Sequence, residues 1–111
     1  MTTYSPWFGT PNLSDLNDAG RATLNEQLGI ELTEITETAL RGRMPVDHRT
    51  VQPAGVLHGG ASVAFAETLA SWAGYLSVDP ERFHAVGQEI NANHVRAAQA
   101  GGWVFGEATP E

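Results

Sequence analysis

Glu67 is the only formally charged residue between Gly59 and Val78, in the run GGASVAFAETLASWAGYLSV. Removing a carboxylate from water is costly unless it is paired, hydrogen-bonded or protonated, so a lone acid there marks a candidate reactive group. Ser71 follows four residues later and on a helix shares a face with Glu67. One water molecule suits such a pair. The carboxylate can take its proton, or attack an acyl carbon itself, while the hydroxyl holds the water.

His58-Gly59-Gly60 stands where that helix begins. Unpaired N–H groups and the positive end of the helix dipole favour developing negative charge there, and glycine lets a carbonyl oxygen come close to the backbone. This is the physics of an oxyanion hole. Taken singly, a buried glutamate can be a structural hydrogen-bond acceptor and HGG can be an ordinary turn. In register with Gln52 and Ser71 they read as a site.

Spacing then constrains assembly. Gly59 and Glu67 are eight residues apart, or about 12 Å along one helix axis. A single carbonyl fits poorly between them, so the hole of one subunit is predicted to face Glu67 of another. The active unit is at least a dimer.

The elements that must hold these residues follow from the chain pattern. Met1 to Pro11 mixes breakers with aromatics and reads as an arm packed by Trp7 and Phe8. Ser14 is placed to cap a helix running to about Leu28, with Leu16, Ala19, Leu24 and Leu28 as an apolar stripe, Asp15 and Asp18 in its first turn, and Gly29 at its end. From Ile30 to Val46 the pattern alternates and predicts two strands. Glu31, Glu34 and Glu37 are read as a solvated face without a chemical role.

Asp47 to Gly55 is a connecting loop, and a long helix follows from about Gly60 to Leu76. Val63, Phe65, Leu69, Trp72 and Leu76 leave it apolar on nearly every side, as in a helix wrapped by other structure, and Phe65, Leu69 and Trp72 are candidates for a pocket wall. Asp79 and Pro80 stop it. His84 to Ala97 reads as a strand with polar residues on both faces, suited to an interface or ligand edge, and Trp103 to Ala108 begins another. The fold class is α+β, an antiparallel sheet wrapped on a central helix.

Composition removes several functions. The 111 residues allow one small domain with a core, and 41% AVILMFWYC suits a folded chain. A net charge of −7, with six arginines and no lysine, argues against a nucleic-acid surface. The absence of cysteine removes disulfides and thiolate chemistry and fits a reducing compartment. The N-terminal residues lack the basic and apolar regions of a secretory signal, so the cytoplasm is expected. Gly59 to Val78 has the length to span a bilayer, but its small residues and central acid fit a soluble helix better. His48, His84 and His94 have no zinc-ligand spacing, and no metal is expected.

MPVDHRTVQPAGVLHGGASVAFAETLASWAGY, followed by VGQEINANHVRAA, resembles the hot-dog fold acyl-CoA thioesterases. The similarity is greatest to the branch of 1,4-dihydroxy-2-naphthoyl-CoA hydrolases and Arthrobacter-type 4-hydroxybenzoyl-CoA thioesterases. It spans about Met44 to Ala98 through QPxGxLHGG, AExxxS and EINANHVR. The resemblance implies that Gln52 and His58 orient the thioester carbonyl and that the Gly59 N–H polarises it. Glu67 would be nucleophile or general base, and Ser71 would position water. It also implies that Gly87, His94, Val95, Arg96 and Ala97 contact CoA or the acyl group, with Arg96 as the phosphate partner.

The implied fold is one hot-dog domain over residues 1–111, short at its C-terminal end relative to the family and lacking the last strands. The implied assembly is a homodimer or homotetramer with sites between subunits. The expected function is hydrolysis of an aromatic acyl-CoA, with dihydroxynaphthoyl-CoA and menaquinone biosynthesis as the specific expectation. No cofactor is expected, because CoA enters with the substrate. The alternatives are a non-catalytic acyl-CoA-binding module and a hot-dog dehydratase or hydratase; the latter lacks its HFPG-like signature here.

Overall fold

The computed structural model describes residues 6–77 and 101–110. Through them run α1 (Leu13–Ala19), α2 (Leu24–Leu28), β1 (Glu31–Ile35), β2 (Leu40–Pro45), α3 (Gly59–Leu76) and β3 (Trp103–Ala108). The strands form an antiparallel sheet in the order β1-β2-β3, with α3 against one face. The α+β class and the central helix stand as expected.

The predicted single helix before β1 is two. Asn12, not Ser14, caps α1 by accepting the Asp15 N–H, and Gly20 closes it. Ala22 takes a φ of 60°, a left-handed conformation unfavourable for a residue with a Cβ, so the helix cannot continue through it. Thr23 then caps α2, whose left-handed C-cap Gly29 is where the sequence places the end. Leu16 is buried, whereas Ala19 and Leu24 are exposed. The predicted stripe therefore fails where the axis breaks.

The two strands from the alternating region pair as expected, with Glu31 opposite Arg43, Glu34 opposite Arg41 and a bulge between Leu32 and Glu34. Leu32, Leu40 and Met44 point into the core. On the outer face Arg41 meets Glu34 at 2.8 Å and Arg43 meets Glu31 at 3.2 Å, so these glutamates are partners in exposed ion pairs of small energetic weight. The N-terminal arm is stitched down by Trp7 Nε1, which donates to the Thr36 carbonyl at 2.7 Å, and by the Phe8 N–H, which donates to Leu76 at 2.7 Å. Trp7 packs against the core, whereas the Phe8 side chain is exposed.

The decisive contact lies between sheet and helix. Gly42 and Gly106 are directly paired in β2 and β3, and Phe65 and Leu69 of α3 fill the shallow window they leave. A Cβ on Gly106 would stand 2.6 Å from Leu69 Cδ1 and 2.9 Å from Phe65 Cε2; on Gly42 it would stand 3.0 Å from Leu69 Cδ2. Both α3 side chains are fully buried there, each contributing about 1.5–3 kcal/mol by leaving water. They are core residues and not the pocket wall expected of them. Among the described residues, the sheet covers this side of α3, in keeping with the antiparallel sheet packed on a central helix that the sequence predicts.

Gly106→Ala should therefore lose about 1–3 kcal/mol of stability in urea unfolding, as expected for overpacking a filled core. An unchanged midpoint would show that α3 is not pressed onto this window.

Candidate active site

Beyond β2 the chain enters a knotted turn. The Thr50 and Val51 N–H groups donate to the Asp47 carbonyl at 3.0 and 3.1 Å, and the Asp47 N–H donates to Thr50 Oγ1 at 3.1 Å. Arg49 folds back on the Asp47 carboxylate with contacts down to 2.6 Å. Its side-chain and backbone hydrogen bonds hold Asp47 down to about 2, below the ordinary carboxylate value. With a lowered folded value, this contribution is present above the unfolded carboxylate value and lost as pH falls toward about 2. The Asp47–Arg49 contact is accordingly unchanged by pH near neutrality.

A short hairpin follows. Val51 bridges Leu57, the Gln52 N–H donates to Val56 at 2.8 Å, and Gly55 makes the bend with a φ of 86°. Gln52 Oε1 accepts the Ala54 N–H at 2.8 Å, which leaves its amide NH2 as the end free to donate outward. The His58 N–H donates to Thr50 at 2.8 Å. Gln52 and His58 thus lie one residue beyond each partner of the bridge.

His58 is also the N-cap of α3. Its Nδ1 accepts the Gly60 N–H at 2.8 Å, so the neutral ring carries its hydrogen on Nε2. This explains both glycines. A Cβ on Gly60 would stand 3.0 Å from the His58 ring, whereas one on Gly59 would meet nothing within 4 Å. Gly60 makes room for the cap, and Gly59 leaves its own N–H open to approach. With the Gly60 N–H taken up by the histidine, the Gly59 N–H is a backbone donor left at this turn.

Glu67 is exposed, contrary to the buried acid expected from the run. At 3.6 residues per turn it projects directly opposite Phe65 and Leu69, so seating those two on the glycine window turns Glu67 outward. Val63, Glu67, Ser71 and Tyr75 form one exposed stripe at spacing four, with Val63 and Tyr75 at 56% and 53% exposure. Glu67 and Ser71 share a face as predicted. Gln52, His58 and Gly59 gather at the start of α3, about 12 Å along its axis from Glu67. The fold brings together two groups and keeps them apart within one chain.

Gly87, His94, Val95, Arg96 and Ala97, with the strand predicted around them, lie outside the described residues. His48 is exposed. No three His, Asp or Glu side chains among the described residues are grouped to hold a metal ion, and no described helix is long and apolar enough to cross a membrane. A cleft of about 470 Å³ opens between α1–α2 and the sheet, and none of Gln52, His58, Gly59, Glu67 or Ser71 lines it. Sequence reasoning missed Thr50 and the separate duties of the two glycines. The D-x-x-T spacing of Asp47 and Thr50, a turn-forming pattern, was the available signal.

Residues 54–111 match the thioesterase superfamily family model, and this range carries HGG, Glu67 and Ser71. The chain belongs to the thioesterase superfamily. Members are thioester hydrolases, and this chain is an enzyme of that class. It is 47% identical over 95 residues to the 1,4-dihydroxy-2-naphthoyl-CoA hydrolase of Escherichia coli, covering 86% of this chain and 69% of the relative. It is 50% identical over 95 residues to the proofreading thioesterase EntH of Cronobacter turicensis, with the same coverage. Among solved structures, a thioesterase of Pseudomonas aeruginosa superposes with a TM-score of 0.84 at 44% identity, covering 95% of this chain and 75% of that one. The hot-dog fold expected from the motifs is thereby established.

At a pH where its ring is neutral, ¹H–¹⁵N spectra should show His58 as the Nε2–H tautomer. A protonated Nδ1 in the neutral ring would contradict the cap.

Proposed function

We propose that this thioesterase hydrolyses an acyl-CoA at a site made of two half-sites, each from a different subunit. The observation that carries the reading is the exposed Glu67–Ser71 pair on the same continuous helix as an open Gly59 N–H, with about 12 Å between them. One carbonyl cannot be served by both the start and the middle of one helix. A homodimer supplies the other half-site, and a homotetramer repeats the arrangement.

In this reading the thioester oxygen lies against the Gly59 N–H, with the Gln52 amide and the His58 Nε2–H as further donors. Gln52 Oε1 and His58 Nδ1 are used locally, which leaves their N–H groups to donate, and the Gly59 Cα has open space beside it. They polarise the carbonyl and stabilise the oxyanion of the tetrahedral intermediate. Glu67 of the neighbouring chain either takes a proton from water held by Ser71 or attacks the carbonyl carbon to form a mixed anhydride that water then opens. Each route breaks the carbon–sulfur bond and releases CoA thiol and the free acid. No cofactor takes part in this proposal.

For the acyl group we propose an aromatic acid, with 1,4-dihydroxy-2-naphthoyl-CoA as the specific candidate and menaquinone biosynthesis in the cytoplasm as its setting. Support comes from the motifs Gln52–Tyr75 and Glu89–Arg96 and from the Escherichia coli relative. The EntH relative, of similar identity, keeps other acyl groups within reach of the same scaffold. Val63 and Tyr75, which flank Glu67 and Ser71 along the exposed stripe, offer apolar surface to such a group. Gly87, His94, Val95, Arg96 and Ala97 are proposed as the CoA-contacting segment.

Glu67→Ala should lower kcat for benzoyl-CoA hydrolysis about a hundredfold or more with the fold intact, as expected when a nucleophile or base is removed. Thiol release followed with a chromogenic thiol reagent measures it. A fully active variant would remove Glu67 from the mechanism.

A further inference from the structure

Thr50 is the single buried polar residue among those described, at 1% exposure. Its hydroxyl donates to the Pro45 carbonyl at 2.6 Å and accepts the Asp47 N–H at 3.1 Å. Its backbone N–H donates to the Asp47 carbonyl at 3.0 Å, and its own carbonyl accepts the His58 N–H at 2.8 Å. The same residue therefore holds the last residue of β2, the turn after it, and the N-cap of α3.

These bonds make a continuous path. Pro45 belongs to β2, whose Gly42 seats α3, and Pro45 is itself opposite Trp103 of β3. From that strand the Thr50 hydroxyl closes the turn, the Thr50 carbonyl orients His58, and the His58 ring caps Gly60. The loop from Pro53 to Val56 is exposed and has no comparable anchor of its own. Beside the Val51 N–H to Asp47 carbonyl bond and the Val51–Leu57 bridge, the Thr50 hydroxyl is a buried side-chain link between this turn and the end of β2.

We propose that Thr50 is a positioning residue, which sets the direction of the His58 Nε2–H and the Gly59 N–H by tying their turn to the end of β2. The proposal rests on the reading of those two groups as carbonyl donors. It acts through them and makes no contact with substrate. A buried hydroxyl satisfied on both its donor and acceptor sides is the kind of group whose removal leaves two backbone partners unpaired. Those partners would have to move to regain hydrogen bonds, and His58 would move with them.

Thr50→Val and Thr50→Ser test this, with benzoyl-CoA as the probe and Glu67→Ala alongside. The expected result is a fall in kcat of about tenfold or more for Thr50→Val, with KM changed by less than about threefold. Thr50→Ser, which keeps the hydroxyl, should return most of the activity. In the ¹H–¹⁵N spectrum, Thr50→Val should lose the single Nε2–H tautomer of His58 and Thr50→Ser should keep it. A residue with only a structural role would lower the melting temperature of Thr50→Val while leaving kcat and the His58 signals unchanged below the transition. That outcome overturns the proposal. If Thr50→Val does not fold, Thr50→Ala takes its place under the same criteria. Full activity in Glu67→Ala would instead sink the catalytic reading, while the spectrum of His58 still decides the role of Thr50.

Discussion

The contact on which this structure depends is the seating of Phe65 and Leu69 in the window between Gly42 and Gly106. Two paired strands present bare backbone at the same level, and α3 approaches closely enough for its largest side chains to fill that space. Rotation of the helix is then set. With Phe65 and Leu69 inward, the period of 3.6 residues per turn directs Glu67 and Ser71 to the opposite side. A core contact thereby decides where Glu67 and Ser71 face.

The start of the helix is organised by donors. Gln52 spends its side-chain oxygen on Ala54, and His58 spends Nδ1 on Gly60, so both offer hydrogens outward. The Gly59 N–H points from the same turn with open space beside its Cα. A cluster of donors without a competing acceptor suits a carbonyl that gains negative charge. In the proposed mechanism the carboxylate that acts on that carbonyl comes from the outward stripe of another copy.

Much of this was legible in the chain. The alternation of Ile30–Val46 revealed β1 and β2, and the long apolar run revealed α3 almost to the residue. Motif spacing revealed the family. What periodicity did not reveal was depth. Glu67 reads as buried because its neighbours in sequence are apolar, yet burial depends on which side of the helix meets the sheet, and Gly42 and Gly106 decide that from distant positions. The break at Gly20–Ala22 was hidden for a related reason: an alanine at φ 60° carries no signature in composition. Thr50 looked like one polar loop residue among several, because its value lies in partners that only the folded turn brings within reach.

The central claim is that each site draws its carbonyl donors from one chain and its carboxylate from another. Mixing His58→Ala with Glu67→Ala protein, after dissociation and reassociation in equal amounts, tests it most directly. In a twofold dimer, half of the particles would be mixed, and each would hold one site with both groups intact, so about one quarter of the parent activity should return. Activity no greater than that of the two variants assayed separately would contradict a shared site.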